Sequence, residues 1–268
     1  MWIAIATIAV LFLLYLWFLK GRNGHEALHK LRGWNYAHRG LHDAQRPENS
    51  MAAFRAALEH GYGIELDVHL MKDGNLAVIH DSSLKRVAGA DVQIEDLTLA
   101  DLSQYYLANS DQHIPLFSQV LDLYQGKAPL IVELKTANHN VSALCEATMK
   151  LLDGYDGLYC VESFDPRVTH WMRKHRPHII RGQLSENWFR SKAKLPWLLK
   201  FLMTYHFSNI YTRPDFIAYK YCDRKTFGTE ICRKLWHIQG VSWTLQTRQE
   251  YDTAVKEGWI PIFENFTV

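Results

Sequence analysis

From Trp2 to Leu19 the chain carries no charged residue, and every position except Thr7 is apolar or aromatic. As a helix this run would span about 27 Å, close to the hydrocarbon thickness of a bilayer. No basic stretch precedes it and no small-x-small cleavage site follows, which predicts a retained transmembrane signal anchor over residues 1–20. Lys20, Arg22, Lys30 and Arg32 follow the run, so the positive-inside rule places the remainder of the chain on the cytoplasmic side. Residues 21–33 read as a basic linker, and residues 34–268 as one folded domain.

Beyond the linker, short apolar runs alternate with stretches of helical period. Asn35–His38, Ile64–Val68, Leu76–Ile79, Leu130–Leu134, Leu158–Val161, Ile179–Leu184, Ile210–Tyr211, Gly240–Leu245 and Pro261–Phe263 are predicted strands. Ser50–His60, Leu116–Leu123 and Val141–Leu152 are predicted helices. With Leu76–Ile79 taken as an excursion after the second strand, about eight β/α units remain. That alternation predicts an α/β fold, a (β/α)8 TIM barrel behind an N-terminal transmembrane helix. Residues 185–208, rich in aromatics, read as an enlarged amphipathic loop at one barrel end.

Length and composition change this picture little. The 268 residues are 48% hydrophobic and 22% charged, with a net charge of +2; they fit one barrel with an ordinary core and give no global basic field of the kind nucleic-acid binders use. Cys145, Cys160, Cys222 and Cys232 match no zinc or redox spacing and read as incidental thiols.

The chemistry is concentrated in three places. Ala37-His38-Arg39-Gly40 ends the first strand and precedes Arg46-Pro47-Glu48-Asn49-Ser50. Ile-Glu-Leu-Asp-Val holds Glu65 and Asp67, with His80-Asp81 thirteen residues beyond. Glu133-Leu134-Lys135 closes the strand begun at Leu130. Residues two apart on a strand share a face, so Glu65 projects with Asp67, and Glu133 with Lys135. Charges within apolar strands are costly to desolvate unless neutralised. Three carboxylates on neighbouring strands suit a hard cation, Mg²⁺ or Ca²⁺, rather than Zn²⁺. Asp81 would point away from His80 on an extended strand, which leaves it at most an indirect role. Trp243 is equally suited to packing and to lining a pocket.

These motifs, H-R-G, P-E-N-S, E-x-D, H-D and E-x-K in this order, resemble the glycerophosphodiester phosphodiesterase family. The likeness runs from about Tyr36 to the carboxyl terminus. It implies a metal-dependent hydrolysis of glycerophosphodiesters to glycerol 3-phosphate and an alcohol. His38 and His80 would be the acid/base pair, Glu65, Asp67 and Glu133 the ligands of one divalent cation, and Arg39 and Lys135 the holders of the phosphodiester. Glu48 would orient the site. The chain departs from the family pattern at Met71, at Gln246 and at Glu264-Asn265, which stands where Thr-Asp is common. Two further readings remain beside this one: a membrane-anchored lysophospholipase D-like enzyme acting on lysophospholipids, and a non-catalytic lipid- or phosphate-binding module, which would need no acid/base pair.

Overall fold

The computed structural model describes residues 1–108 and 110–268. Its strands are β1 (Tyr36–His38), β2 (Gly63–Leu70), β3 (Leu76–Val78), β4 (Leu130–Leu134), β5 (Tyr159–Ser163), β6 (Arg181–Ser185), β7 (Phe216–Lys220), β8 (Gln239–Leu245) and β9 (Ile260–Phe263). Its α-helices are α1 (Trp2–Phe18), α2 (Met51–Glu59), α3 (Lys85–Ala88), α4 (Leu99–Leu102), α5 (Phe117–Tyr124), α6 (Val141–Leu152), α7 (Pro166–His175), α8 (Trp197–Thr204), α9 (Asn209–Thr212), α10 (Phe227–Lys234) and α11 (Arg248–Lys256).

Eight strands pair in parallel in the order β1-β9-β8-β7-β6-β5-β4-β2, and β1 pairs with β2 to close the barrel. Only β3 lies outside, antiparallel on β2. The closed parallel barrel with outer helices is the predicted TIM architecture, and β3 is the expected excursion. Barrel strands face helices outside and packed side chains inside, so they are apolar on both faces except where chemistry intervenes. Accordingly Ile64, Leu66 and Val68 of β2, and Leu130 and Val132 of β4, are fully buried. The excursion has its own small core of Met71, Ala77, Ile79, Leu84, Val87, Ile94, Leu97 and Leu102.

Two expectations are corrected. Ile210–Tyr211 is not a strand but part of α9; the seventh strand is Phe216–Lys220. A local bond favours a helical turn there, Thr212 Oγ1 donating to Ser208 O (3.1 Å), and a contact remote in sequence anchors it, Asn209 Nδ2 donating to Leu19 O (3.1 Å). The apolar N-terminal run forms α1, but this helix has 17 residues, and no helix among the described residues is long and apolar enough to cross a membrane. The run is cut short at its carboxyl end because it docks on the barrel. Leu19 is buried against Ile217, Cys232 and Ile238, Trp236 Nε1 donates to Leu16 O (2.7 Å), and Arg213 Nη1 donates to Trp17 O (3.1 Å).

Residues 21–33 cross the amino-terminal end of the barrel and are packed against it. Arg22 pairs with Asp215 (2.5 Å), Arg32 Nε donates to Gln239 Oε1 (2.7 Å), and buried Leu31 accepts from Tyr36 Oη (3.0 Å) through its carbonyl.

At the opposite end, β1 runs into a turn in which Arg39 has φ 54° and Gly40 φ 82°. A Cβ on Gly40 would lie 2.9 Å from Ala53 and from the Phe54 ring, so the turn can seat against α2 only without a side chain. Gly40→Ala should therefore lower unfolding stability by about 2–4 kcal/mol, combining left-handed strain with the clash. Urea denaturation measures this, and a loss below about 0.5 kcal/mol would show that the turn relaxes freely.

Candidate active site

The side chains singled out in the sequence meet at the carboxyl ends of the barrel strands. His38 ends β1, opposite Glu65 in the β1–β2 register, and Asp67 of β2 lies opposite Glu133 of β4. Glu65, Asp67 and Glu133 are buried and offer carboxylate oxygens all within 4.8 Å of one another. Alternation along β2 therefore delivers both of its acids inward, as the spacing predicts. Lys135 follows β4 and reaches back, its Nζ 2.8 Å from Glu133 Oε1 and 3.0 Å from Asp67 Oδ1. Lys135 thus bridges the two carboxylates by short ion pairs. Arg39 Nε lies 3.3 Å from the other Asp67 oxygen, to which Asn49 Nδ2 donates (2.9 Å).

A fourth buried carboxylate, Glu162 of β5, stands opposite Glu133 in the β4–β5 register and lines the same cavity. Its Oε2 has no hydrogen-bond partner. The sequence reading missed it, although the signal was available: Tyr-Cys-Val-Glu-Ser places one acid in an apolar strand, just as Leu-Ile-Val-Glu-Leu does for Glu133. Around this point Glu65, Asp67, Glu133 and Glu162 face two cations, Arg39 and Lys135. The remainder is two negative charges, the complement of one divalent cation. The strain of that excess is visible in the proton affinities. Burial, then Asp67 and Glu133, pushes the Glu65 carboxyl well above its usual range. Burial also opposes ionisation of Asp67, but Lys135 and Arg39 outweigh it and hold that carboxyl well below. All three predicted ligands thus fit a cation, their buried oxygens converging within 4.8 Å beside the unpartnered Glu162 Oε2.

The two histidines flank this cluster. His38 Nδ1 is 2.5 Å from Glu264 Oε2, and His80 Nδ1 is 2.6 Å from Asp81 Oδ1. A carboxylate only accepts, so each neutral ring is assigned its proton on Nδ1, leaving Nε2 free as acceptor. His38 Nε2 lies 3.8 Å from Glu65 Oε2. Burial lowers the pKa of His38, against the opposing Glu264 hydrogen bond, and brings that of His80 down to about 4. Both rings are therefore neutral near pH 7. His38, His42 and Glu264 also lie close enough to form a metal-binding trio, but His38 Nδ1 is already committed to Glu264.

Asp81 does reach its neighbour. The strand rule fails because β3 ends at Val78, before His80. From Asp81 an ionic chain runs through Arg86 Nε (2.5 Å) to Glu48 Oε1 (2.7 Å from Arg86 Nη2) and on to Arg39 Nη1 (2.9 Å). Glu48 does not touch the carboxylate cluster; it ties Arg39 to the loop that carries His80. Desolvation opposes its ionisation, but Arg86 and Arg39 outweigh it and hold its pKa at about 2. Beneath His80, His69 Nε2 is 3.2 Å from its carbonyl, and His69 Nδ1 is 2.6 Å from Glu95 Oε1.

Trp243 completes the pocket wall with Phe164, Leu184 and Ile262. It meets Phe164 edge to face, with ring centroids 5.5 Å apart. Its buried Nε1 has no partner within the chain. A register shift between Ser242 and Leu245 re-aims the strand at this point. A roomier surface cleft lies between α5 and α6, lined by Ser118, Asp122, Gln125 and Tyr155, but it holds no histidine or cation.

The profile of the Glycerophosphoryl diester phosphodiesterase family matches residues 38–223. A glycerophosphodiester phosphodiesterase of Caldanaerobacter subterraneus is 28% identical over 236 residues, covering 83% of this chain and 89% of that protein. One from Bacillus altitudinis is 34% identical over 155 residues, covering 54% of this chain and 63% of that protein. The fold is also that of an Oleispira antarctica phosphodiesterase solved with its product sn-glycerol-3-phosphate, at a TM-score of 0.70 and 20% identity, covering 88% of this chain and 94% of that one. The profile match spans more than half of the chain and contains both histidines and the whole carboxylate cluster, and the chain belongs to the glycerophosphoryl diester phosphodiesterase family.

Proposed function

We propose that this site hydrolyses glycerophosphodiesters to glycerol 3-phosphate and an alcohol, with one divalent cation held by Glu65, Asp67 and Glu133. The observation that carries the reading is the pair of carboxylate-oriented histidines on either side of a cluster with two uncompensated negative charges. With Mg²⁺ or Ca²⁺ held by these carboxylates, Lewis-acid polarisation of a non-bridging phosphoryl oxygen would be available. Arg39 and Lys135 neutralise charge that builds on the phosphoryl group as the attacking oxygen bonds to phosphorus and the ester bond breaks. One histidine takes the proton of the attacking hydroxyl on its free Nε2. The other, protonated on Nε2 as imidazolium once the anionic diester is bound, delivers that proton to the departing alkoxide, so that with water as the attacking group the products leave as a phosphomonoester and a neutral alcohol. Glu264 and Asp81 hold the two rings in one tautomer and stabilise whichever becomes imidazolium. Trp243, with its indole N–H free, and Phe164 form the wall against the substrate. The aromatic side chains exposed beside the mouth favour a second reading, in which the diester belongs to a lysophospholipid.

Three outcomes follow. Chelation should abolish turnover and Mg²⁺ or Ca²⁺ should restore it, while Glu65→Gln should weaken cation binding measured by calorimetry and leave the fold intact. Full activity of that variant in excess chelator would refute the metal site.

His38→Ala and His80→Ala should each reduce kcat by about a hundredfold or more with cation binding retained. On a p-nitrophenyl ester, whose leaving group needs no proton, the variant lacking the general acid should recover disproportionately. Near-normal turnover in either would make that histidine structural.

Glu264→Gln should lower kcat by at least about tenfold. The Glu264 hydrogen bond raises the His38 pKa, so removing its charge should move to lower pH whichever limb of the kcat/KM profile His38 governs, the acid limb if it is the base and the alkaline limb if it is the acid. An unmoved profile would exclude Glu264 as a positioning residue.

A further inference from the structure

We propose that the surface formed by α1, the first turn of α8 and the segment between β6 and α8 is a contact face for a phospholipid bilayer rich in anionic headgroups. The face lies on the same side of the barrel as the active-site mouth. The inference does not depend on the chemistry of the site.

The placement follows from contacts. Leu19 packs at the amino-terminal end of the barrel, beside Ile238, just ahead of β8, while Arg22 N donates to Pro214 O, ahead of β7. Four residues earlier, Tyr15 lies against Gly228 and donates to Tyr205 O (3.4 Å), in segments that follow the carboxyl ends of β7 and β6. Followed backwards, α1 therefore rises past the barrel wall toward the mouth, and residues 2–14 extend beyond it by about 20 Å. That is enough to enter one leaflet of a hydrocarbon core roughly 30 Å thick.

The helix continues into α8 through touching rings. Tyr15 meets Phe207 (centroids 4.9 Å), Phe207 meets Phe201 (5.5 Å), and Phe201 stacks on Trp197 (5.6 Å). At the start of α8, Trp197 and Leu198 are 68% and 60% exposed, and Leu199 is exposed beside them. Lys192 and Lys194 are exposed next to this turn, and residues 187–208 contain no acidic side chain. Among the described residues, neither lysine has an ion-pair partner.

Lipid is the occupant that fits. α1 has no buried residue and is apolar on every face, whereas a protein groove covers only one face of a helix. An exposed apolar turn led by tryptophan and bordered by unpaired lysines matches the interfacial layer of a membrane, where indoles and snorkelling cations settle.

The test uses the full chain in a Cys222→Ser background, since the other three cysteines are buried. An environment-sensitive fluorophore is placed at Leu198→Cys or, as control, at Asp156→Cys at the opposite barrel end, and folding is checked by circular dichroism. Mixed with phosphatidylcholine–phosphatidylglycerol vesicles, the protein should float. The label at 198 should shift to the blue and be quenched by spin-labelled lipid, and the label at 156 should not respond. Lys192→Glu with Lys194→Glu should weaken binding to these vesicles by about tenfold or more. Failure to float, equal response of the two labels, or a stable vesicle-free oligomer that buries position 198 would each overturn the proposal.

Discussion

The structure depends on how four carboxylates can be buried together at one end of a barrel. Glu65, Asp67, Glu133 and Glu162 lie on three adjacent strands, β2, β4 and β5, where water is excluded and mutual repulsion is weakly screened. Arg39 and Lys135 offset half of that charge. The rest has to come from a bound cation or from protons, and the upward shift at Glu65 shows the proton alternative at work. A cation would release those protons and convert an electrostatic liability into a rigid template, because the strand register already fixes where each oxygen stands.

The orientation of the two histidines is organised by placement in the same way. Neither histidine is left to choose its own orientation: Glu264 holds His38 from the last strand, and Asp81 holds His80 from its own loop. The chain Asp81–Arg86–Glu48–Arg39 then couples the His80 loop to the residue that faces Asp67. His80 and Arg39 are thus set in mutual register by ion pairs outside the carboxylate cluster.

Much of this was legible in the sequence because strand alternation is a hard constraint. Glu65, Asp67, Glu133 and Lys135 had to converge once the barrel was read, and His38 followed from its place at the end of β1. What escaped had physical reasons. Asp81 was judged by a strand rule that stops applying beyond Val78. Glu162 carried the same mark as Glu133 but no flanking pattern to draw attention to it. Ile210–Tyr211 has strand-like residues, yet the Thr212 hydroxyl closes a helical turn and the Asn209 amide ties it to Leu19, a contact remote in sequence. The N-terminal run reads as a spanning segment by hydropathy alone; that its last residues are spent on packing against Ile217, Cys232 and Ile238 is a tertiary fact that no local pattern records.

The excursion that holds β3 has a consequence for how such an enzyme can change. Of the two histidines, His38 belongs to the closed sheet and cannot move unless the barrel opens. His80 is carried by a segment with a separate small core, joined to the barrel by β3 pairing, the bond from Ile79 N to Asp67 O and the ionic chain through Glu48. Such a segment can fray as a unit of lower cooperative stability while the cation-binding floor stays intact. It can also diverge in sequence at little cost to the barrel, which makes it the natural place for evolution to change what faces the pocket without rebuilding the carboxylate cluster.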